Sequence, residues 1–557
     1  MVGGVANVGA TKQDFKNYKR EMLEFMREGD AQMVISKYLA KKADDKNMFF
    51  EYEMNEQDNL ARLFWADGVA RKNYGAFGDV VSFDATYQTN RYKLVFVPFT
   101  GVDNHKRCVT FGVGMIDRED VESYRWILQK FKDAMGSIPP LTVTDQDPAM
   151  KVAIATEFPR TQHRYCMWHI MTKVGDKVGT EMAQNGEFRR ALNAVVWNEK
   201  STIDEFESTW DAVIGKYGLS DNRWLKRMYE DRASWVPAFF DNVFMAGLLR
   251  TTSRSESENR VFQRNSNKHL CLVDFWNRFE TAVKTQRNTH LELSAACEGQ
   301  TPPLKTSLRI EREAASGYTL KVFYEVQEEI YAGCYTCRVR SITEDETSKT
   351  YVVVDGNKET YTVILEYGSN TTTCTCRLYT RIGLLCRHVF VVLKNEQIIQ
   401  IPPQHITPRW TREAGIYTNP DTTNEREEGE ESTPQNNKDE SNLINAFYKY
   451  LAMARGRADK LRQLTDVIED FQGQMREDGQ EGSTVNGKQA VMETYCGVPA
   501  PNTIVVHLPT VANTKGSGKR MKSVKELAMA EQVKKKRTCK TCGLETGHNS
   551  RSCSQKQ

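Results

Sequence analysis

The sequence lacks the apolar run of roughly 18 or more residues that a membrane-spanning helix requires. Its first residues also lack the basic start, apolar stretch and cleavage site of a secretory signal. Hydrophobic residues make up only 39% of the chain, and charged residues make up 27%. These features predict an intracellular protein without a membrane anchor, whose 557 residues divide into several folded domains and polar connecting segments.

Cysteine is present, but not in the pattern of a disulfide framework. The chain contains 13 cysteines, which is an odd number, and most of them are dispersed along the sequence. The others form clusters with histidine at spacings typical of metal ligands. We therefore expect reduced thiols and metal-bound thiolates rather than the disulfides of an oxidising compartment.

The net charge of +3 conceals two segments of opposite charge. From Asp421 to Glu440 there are eight acidic and two basic residues among many Thr, Asn and Ser residues, which predicts a disordered linker over 416–442. From Lys515 to Lys540 there are ten basic and two acidic residues, which suits nuclear import, contact with nucleic-acid phosphates, or simply a solvated helix face. The most basic cluster of this tail is Lys534, Lys535, Lys536 and Arg537.

A change of pattern near residue 76 predicts an α/β core. The expected elements are strands at Asp79–Asp84, Leu94–Val97 and Cys108–Met115, a helix at Val121–Met135, a strand at Leu141–Asp145, a helix opened by Pro148, and a strand within Arg164–Ile170. Three strands, helix, strand, helix, strand is the element order of a ribonuclease-H-like core. The fold class we predict is therefore α/β.

The rest of the chain is divided by periodicity and composition. We expect a helical insertion in the core, a small β-rich module after it, and a C-terminal region that is partly helical and partly disordered. The predicted segments are a helical lead-in at 1–75, the core at 76–175, the helical insertion at 176–250, returning helices of the core at 251–300, a β-rich segment at 305–400, a helix at 443–477, and a basic tail at 515–557.

The predicted core brings three carboxylates together. In such a sheet the strands that end at Asp84 and Asp145 lie side by side and parallel, and Glu256, near the start of a returning helix, would face them. Converging carboxylates repel one another unless cations neutralise them. Mg²⁺ or Mn²⁺ held by this set can support phosphodiester cleavage or transfer. On the residues alone, solvated or helix-capping carboxylates are the alternative.

Four side chains of metal-ligand type lie within a single stretch of fifteen residues, inside the β-rich segment. Two close pairs joined by a nine-residue loop can supply the tetrahedral ligand set of a structural Zn²⁺ site. Buried, unpaired side chains in a reducing compartment are the alternative. The C-x-C and C-x-H spacing is that of a SWIM-type zinc finger, which we expect at about 365–400. Its four predicted zinc ligands are Cys374, Cys376, Cys386 and His388.

A second Cys/His motif lies in the basic tail. It resembles a zinc knuckle, although five residues separate its second cysteine from the histidine where the usual knuckle has four. The neighbouring lysines favour a nucleic-acid contact, and a tail that never binds metal is the alternative. The predicted ligands are Cys539, Cys542, His548 and Cys553.

Five motifs in this order resemble plant far-red-impaired-response (FAR/FHY-type) proteins, which descend from Mutator-like (MULE) transposases. The first four are Phe83–Tyr87, Thr144–Met150, His163–His169 and Arg254–Asn259, and the SWIM finger is the fifth. The resemblance covers roughly residues 10–410. It implies a nuclear, DNA-binding regulator of transcription, with a role in light-controlled development for some members. It also implies that Asp84, Asp145 and Glu256 are the former transposase triad.

Two departures from the family pattern shape the functional hypotheses. Family members usually begin with a separate zinc-binding DNA-recognition domain, whereas this sequence starts after the point where that domain would end. Tyr379 and Thr380 stand where the family commonly has Phe and Glu, but all four SWIM ligands remain. We expect a domesticated transposase that regulates transcription and forms homo- or heterodimers. The alternatives are an active transposase and a dimerising partner without DNA recognition of its own.

Overall fold

The computed structural model describes residues 11–86, 89–246, 268–299, 302–414, 457–478 and 488–510, together with scattered positions between 443 and 454. Within these residues the chain forms two β-sheets and many helices. No described helix combines the length and the apolar character that crossing a membrane requires. The α/β character expected from the sequence is confirmed.

A seven-stranded sheet forms the centre of the first part of the chain. Its strands are β1 (Phe49–Met54), β2 (Leu60–Ala66), β3 (Val80–Phe83), β4 (Val95–Val102), β5 (Cys108–Ile116), β6 (Leu141–Thr144) and β7 (Gln162–Tyr165). They lie in the order β1-β2-β5-β4-β3-β6-β7. The neighbouring pairs β1-β2, β2-β5, β5-β4 and β4-β3 are antiparallel. The pairs β3-β6 and β6-β7 are parallel. The predicted parallel pairing of the two strands that precede Asp84 and Asp145 is confirmed.

The sheet differs from the prediction at its first edge. The lead-in at 1–75, predicted as helical, contains the hairpin of β1 and β2. Every residue of β2 is buried, because Leu63 and Trp65 pack on one face of the sheet while Phe64 and Ala66 pack on the other. A strand buried on both faces reads as a continuous apolar run without the alternation that marks a half-exposed strand.

Helices cover both faces of this sheet. One face is covered by α3 (Gly68–Phe77), α4 (Val121–Met135) and α5 (Pro148–Glu157), where Phe99 and Phe131 stack at 4.4 Å between ring centroids. The other face carries α1 (Lys12–Met26), α2 (Asp30–Asp44) and a helix at Leu272–Gly299. Buried Asp30 ties this layer together, because its carboxylate accepts hydrogen bonds from the Leu272 and Val273 N–H groups at 2.7 and 2.9 Å.

A run of helices follows β7. The helices are α6 (Met167–Lys177), α7 (Thr180–Gln184), α8 (Gly186–Val196), α9 (Ile203–Lys216) and α10 (Arg223–Glu230). They enclose their own apolar cluster, in which Trp210 and Trp235 are buried. The predicted strand within Arg164–Ile170 stops at Tyr165, and α6 begins at Met167. The helix that begins at Leu272 is α11, a single helix of 28 residues.

The second sheet is a four-stranded antiparallel meander. Its strands are β8 (Arg338–Glu344), β9 (Ser348–Val354), β10 (Thr360–Glu366) and β11 (Thr372–Cys374). The segment predicted as β-rich from residue 305 begins instead with α12 (Arg309–Gly317) and α13 (Leu320–Tyr335), and it ends with α14 (Leu378–Ile382) and α15 (Arg387–Asn395). α13 and α15 pack together in the apolar cluster that also buries Tyr351 and Val363 of the sheet.

The C-terminal part contributes two further described helices. These are α16 (Ala458–Asp478), near the predicted helix at 443–477, and α17 (Lys488–Cys496). Residues 488–510 return to the first layer of helices, where Tyr495 donates a hydrogen bond to Asp274 at 2.7 Å and the Val506 N–H donates to Gln32 at 2.9 Å. Met492, Cys496 and Val506 are buried there.

Candidate metal centres

Three short elements bring the four SWIM ligands together. Cys374 is the last residue of β11, and Cys376 lies in the turn after it. Arg377 adopts a left-handed conformation (φ 54°), which reverses the chain into α14. Cys386 is the N-cap residue of α15, and His388 lies in its first turn. The ligand pairs are thus fixed at the end of a strand and at the start of a helix.

The distances fit a tetrahedral zinc site. The Cys374, Cys376 and Cys386 Sγ atoms and one His388 ring nitrogen all lie within 4.8 Å of one another. The Cys374 Sγ atom lies 3.6 Å from His388 Nδ1. Zn–S bonds of about 2.3 Å and Zn–N bonds of about 2.0 Å give a sulfur–nitrogen edge of about 3.5 Å in a tetrahedron. The four residues therefore fit Zn²⁺ in both chemistry and spacing.

The three cysteine thiols of the finger differ in the direction in which their pKa is shifted. Hydrogen bonds from Cys374 and Cys386 lower the pKa of the Cys376 thiol. Burial and the neighbouring thiols raise the pKa of Cys386, and the hydrogen bond to Cys376 raises the pKa of Cys374 to about 12. Three thiolates at this spacing require a cation, because without one only part of the set can ionise.

Two residues of the preceding hairpin contact the histidine ligand. The Tyr361 ring stacks on the His388 ring with 3.9 Å between centroids. The buried Asp355 carboxylate places Oδ2 4.0 Å from His388 Nε2, whereas the other ring nitrogen, Nδ1, is the one near Cys374 Sγ. A carboxylate behind a metal-bound histidine orients the ring and increases its basicity. Ligand spacing in the sequence did not identify Asp355 and Tyr361, because β9 and β10 position them.

The carboxylates of the first sheet come together at the ends of parallel strands. Asp84 directly follows β3, and Asp145 directly follows β6. Ser82 pairs with Val143, so Asp84 and Asp145 leave the sheet at the same level two residues further on. Asp145 Oδ1 accepts a hydrogen bond from the Asp147 N–H at 3.1 Å, which holds it in the turn before α5.

His169 lies beside this pair on α6. Its Nε2 atom is 3.1 Å from Asp84 Oδ2. Burial would lower the pKa of His169, but the Asp84 carboxylate and the hydrogen bond with it raise this pKa well above its usual value. Burial, and then repulsion by Asp84, raise the pKa of Asp145 to about 6. The two carboxylates offer oxygen ligands to a hard divalent cation, and His169 pairs with one of them.

Several predicted site residues lie outside the described part of the chain. Among them is Glu256, the third predicted carboxylate, so the structure describes Asp84 and Asp145 without it. The others are the zinc-knuckle residues Cys539, Cys542, His548 and Cys553, and the basic cluster Lys534, Lys535, Lys536 and Arg537.

Comparison with known proteins identifies both centres as parts of matched domains. The MULE transposase domain matches residues 80–173, which include Asp84, Asp145 and His169. The SWIM zinc finger matches residues 352–395, which include all four Cys and His ligands as well as Asp355 and Tyr361.

Three Arabidopsis thaliana proteins illustrate the relatives. FAR1-RELATED SEQUENCE 5 is 32% identical over 418 residues, which are 74% of this chain and 52% of the relative. FAR-RED IMPAIRED RESPONSE 1 is 31% identical over 420 residues, 74% of this chain and 50% of the relative. FAR1-RELATED SEQUENCE 9 is 30% identical over 381 residues, 68% of this chain and 69% of the relative. The chain spans about half the length of the first two relatives. It belongs to the FAR1-related family of proteins, derived from Mutator-like transposases, as its motifs predict.

Proposed function

We propose that this protein is a zinc-binding regulator of transcription in the plant nucleus that descends from a Mutator-like transposase. The observation that carries this proposal is the presence of a MULE transposase domain and a SWIM zinc finger on one chain of the FAR1-related family. One relative is named for an impaired far-red response, which supports a role in light-responsive development. Zn²⁺ held by Cys374, Cys376, Cys386 and His388 would stabilise the finger.

The first sheet supports this descent through its topology. We propose that β5-β4-β3-β6-β7 forms a ribonuclease-H-like core with α7–α10 as its helical insertion. The support is the strand order, in which three antiparallel strands precede two parallel additions at β6 and β7. In a regulator this core would serve as a scaffold or a dimerisation surface.

DNA is the proposed partner, and the basic tail is the proposed contact. Ten basic residues between Lys515 and Lys540 offer charge to phosphates without reading base sequence. The same cluster suits nuclear import. A related family member is the proposed partner for a homo- or heterodimer.

The second candidate function is that of an active MULE-type transposase. The observation that favours it is that Asp84 and Asp145 follow two paired parallel strands at one sheet edge, beside His169. Mg²⁺ or Mn²⁺ bound there would supply the charge that phosphodiester cleavage or strand transfer requires. The chain's own contribution would be to hold two carboxylates at the same level and to place His169 beside Asp84.

A paired experiment separates the two functions. The full chain, fused to a heterologous DNA-binding domain, is tested on a reporter gene, and the unfused chain is tested for Mn²⁺-dependent cleavage of DNA. A regulator predicts that Asp84→Asn leaves the reporter response unchanged and that Cys386→Ala abolishes it. A transposase predicts strand cleavage that Asp84→Asn removes while DNA binding stays nearly intact.

Contrary outcomes are equally specific. A reporter response lost in Asp84→Asn and retained in Cys386→Ala would contradict the regulator proposal. Negligible DNA binding by the unfused chain, together with binding to a full-length relative, would favour the dimerising partner.

A further inference from the structure

The zinc finger faces the helical insertion across a cleft of about 710 Å³. Residues 197–200, which connect α8 to α9, form part of one wall, and Cys376, Arg377 and His388 form part of the other. The cleft is bridged by contacts between side chains of the finger and the insertion. These contacts connect two segments that are far apart in sequence.

Three basic side chains bridge the cleft. Lys200 Nζ lies 2.7 Å from Glu359 Oε2 and 3.0 Å from the Tyr361 hydroxyl, so the insertion reaches the β9–β10 hairpin. Arg377 Nη1 lies 2.8 Å from Asp241 Oδ2, beyond α10. Arg381 is buried and donates from Nη1 to the Glu199 carbonyl oxygen at 2.7 Å.

Each contact from the finger begins beside a zinc ligand. Arg377 follows Cys376 directly, and Arg381 Nη2 donates to the Cys376 carbonyl oxygen at 3.3 Å. The Tyr361 hydroxyl accepts a hydrogen bond from Lys200, and the Tyr361 ring stacks on His388. The zinc ligands Cys376 and His388 therefore set the positions of the side chains that contact the insertion. A change in ligand geometry would reach residues 197–200 through a single intervening side chain.

The basic groups of the cleft are already paired. The pairs are Lys106 with Glu325, Lys200 with Glu359, Arg377 with Asp241, Arg381 with Glu199, and Arg387 with Glu329. A nucleic-acid backbone in this cleft would have to compete with these carboxylates for each of the five Lys and Arg side chains. The pairing therefore favours an intramolecular use of the finger's basic side chains.

We propose that the SWIM finger is a zinc-dependent clasp that holds the helical insertion against the second sheet. Zn²⁺ fixes the Cys376–Arg377 turn and the His388 ring, and these in turn fix the contacts to Asp241, Glu199 and Lys200. Loss of Zn²⁺ releases the contacts and opens the cleft. The clasp rests on the zinc assignment made above and adds to it a conformational effect on residues far from the ligands.

Hydrogen exchange of the full chain, measured by mass spectrometry, tests the clasp. Removal of Zn²⁺ from the wild type by a chelator is expected to increase amide exchange in α8 and α9 about tenfold. The Lys200→Ala/Arg377→Ala double variant is expected to show a smaller increase in the same two helices, because it keeps the Arg381 contact, and its zinc content should be unchanged because all four ligands remain. The matched control is Lys226→Ala, which removes an exposed pair with Asp221 inside the insertion and leaves exchange in α8 and α9 unchanged.

The outcomes separate failure of the clasp from failure of the zinc site. If zinc is lost and exchange rises only in residues 372–395, the clasp is wrong while the zinc assignment stands. If the purified wild type and Cys386→Ala carry the same amount of zinc, the ligand assignment fails and the clasp fails with it. Equal exchange in the double variant and the wild type would also overturn the clasp.

Discussion

The carboxylate centre and the SWIM finger place their ligands by different means. Asp84 and Asp145 follow neighbouring parallel strands of a sheet that is buried by helices on both faces. The finger's ligands come from a three-residue strand, a left-handed turn and the start of a short helix. We therefore expect the first centre to keep its geometry without a cation, at an electrostatic cost. We expect the second centre to need its cation to hold its shape.

The largest effect should come from removing a finger ligand. We expect Cys386→Ala to lose Zn²⁺ and to unfold the finger, because zinc binding contributes on the order of 10 kcal/mol to the folding of small zinc domains. Plasma mass spectrometry of the purified protein measures the metal, and limited proteolysis monitors residues 372–395.

Cys297→Ala is the matched control for this experiment. Cys297 is buried in α11 and lies outside the ligand cluster, so its loss should cost packing energy and leave the zinc content unchanged. Equal zinc in Cys386→Ala and Cys297→Ala would contradict the ligand assignment.

Removing the Asp145 carboxylate should stabilise the folded protein, whereas removing a finger ligand should destabilise it. The pKa of Asp145 is about 6 in the folded state, above the ordinary value of 3.8. The unfolded chain therefore ionises first, and folding loses stability as the pH rises from about 4 to 6. The rise of this pKa from 3.8 to about 6 corresponds to a loss of at most about 3 kcal/mol of folding stability. In chelator at pH 7, Asp145→Asn should therefore be more stable than the wild type.

Thermal unfolding at two pH values measures this gain. The gain should be greatest above pH 6 and should disappear below about pH 4, where Asp145 is protonated in both states. Asp133→Asn, which removes an exposed partner of Lys130, should show no such dependence. A variant that is less stable than the wild type at pH 7 in chelator would contradict the electrostatic cost.

Added cation should compensate this cost in the wild type. If Asp84 and Asp145 hold Mn²⁺, a 30-fold excess over the dissociation constant stabilises the folded state by about 2 kcal/mol. The effect should be greater at pH 7.5 than at pH 5, because protons compete for Asp145 below its pKa of about 6. The melting temperature is measured with and without Mn²⁺. Stabilisation of equal size in Asp145→Asn would place the cation elsewhere.

The sequence predicted residues whose position follows from local pattern. The strands before Asp84 and Asp145 end in polar turn residues, and the finger ligands have a diagnostic spacing, so both sets were identified. The hairpin of β1 and β2 was missed because burial on both faces removes the alternation of a strand.

Tertiary contacts account for the features that the sequence did not predict. His169 ends one of the motifs identified in the sequence, but the start of α6 at Met167 is what brings it to Asp84. Residues 488–510 carry little periodic pattern of their own, and hydrogen bonds to Gln32 and Asp274 hold them in place. Asp355 reaches His388 only because of the hairpin that follows it.

The smallest effect should come from the residue behind the finger's histidine. Asp355 Oδ1 accepts hydrogen bonds from the Asn357 and Glu359 N–H groups at 2.9 and 3.0 Å, and asparagine can keep both. Asp355→Asn therefore removes mainly the charge that faces His388 Nε2 at 4.0 Å. Because this distance exceeds that of a hydrogen bond, we expect zinc affinity to fall by about tenfold or less, at the lower limit for residues behind a metal ligand.

Competition with a chromophoric chelator measures the affinity of this variant. Asp345→Asn is the control, since Asp345 accepts similar bonds in the exposed turn between β8 and β9 and is not in the ligand cluster. A loss in Asp355→Asn as large as in Cys386→Ala would mean that the hairpin, and not only the metal, holds the finger together. The finger would then resemble the carboxylate centre, in which the surrounding fold positions the ligands.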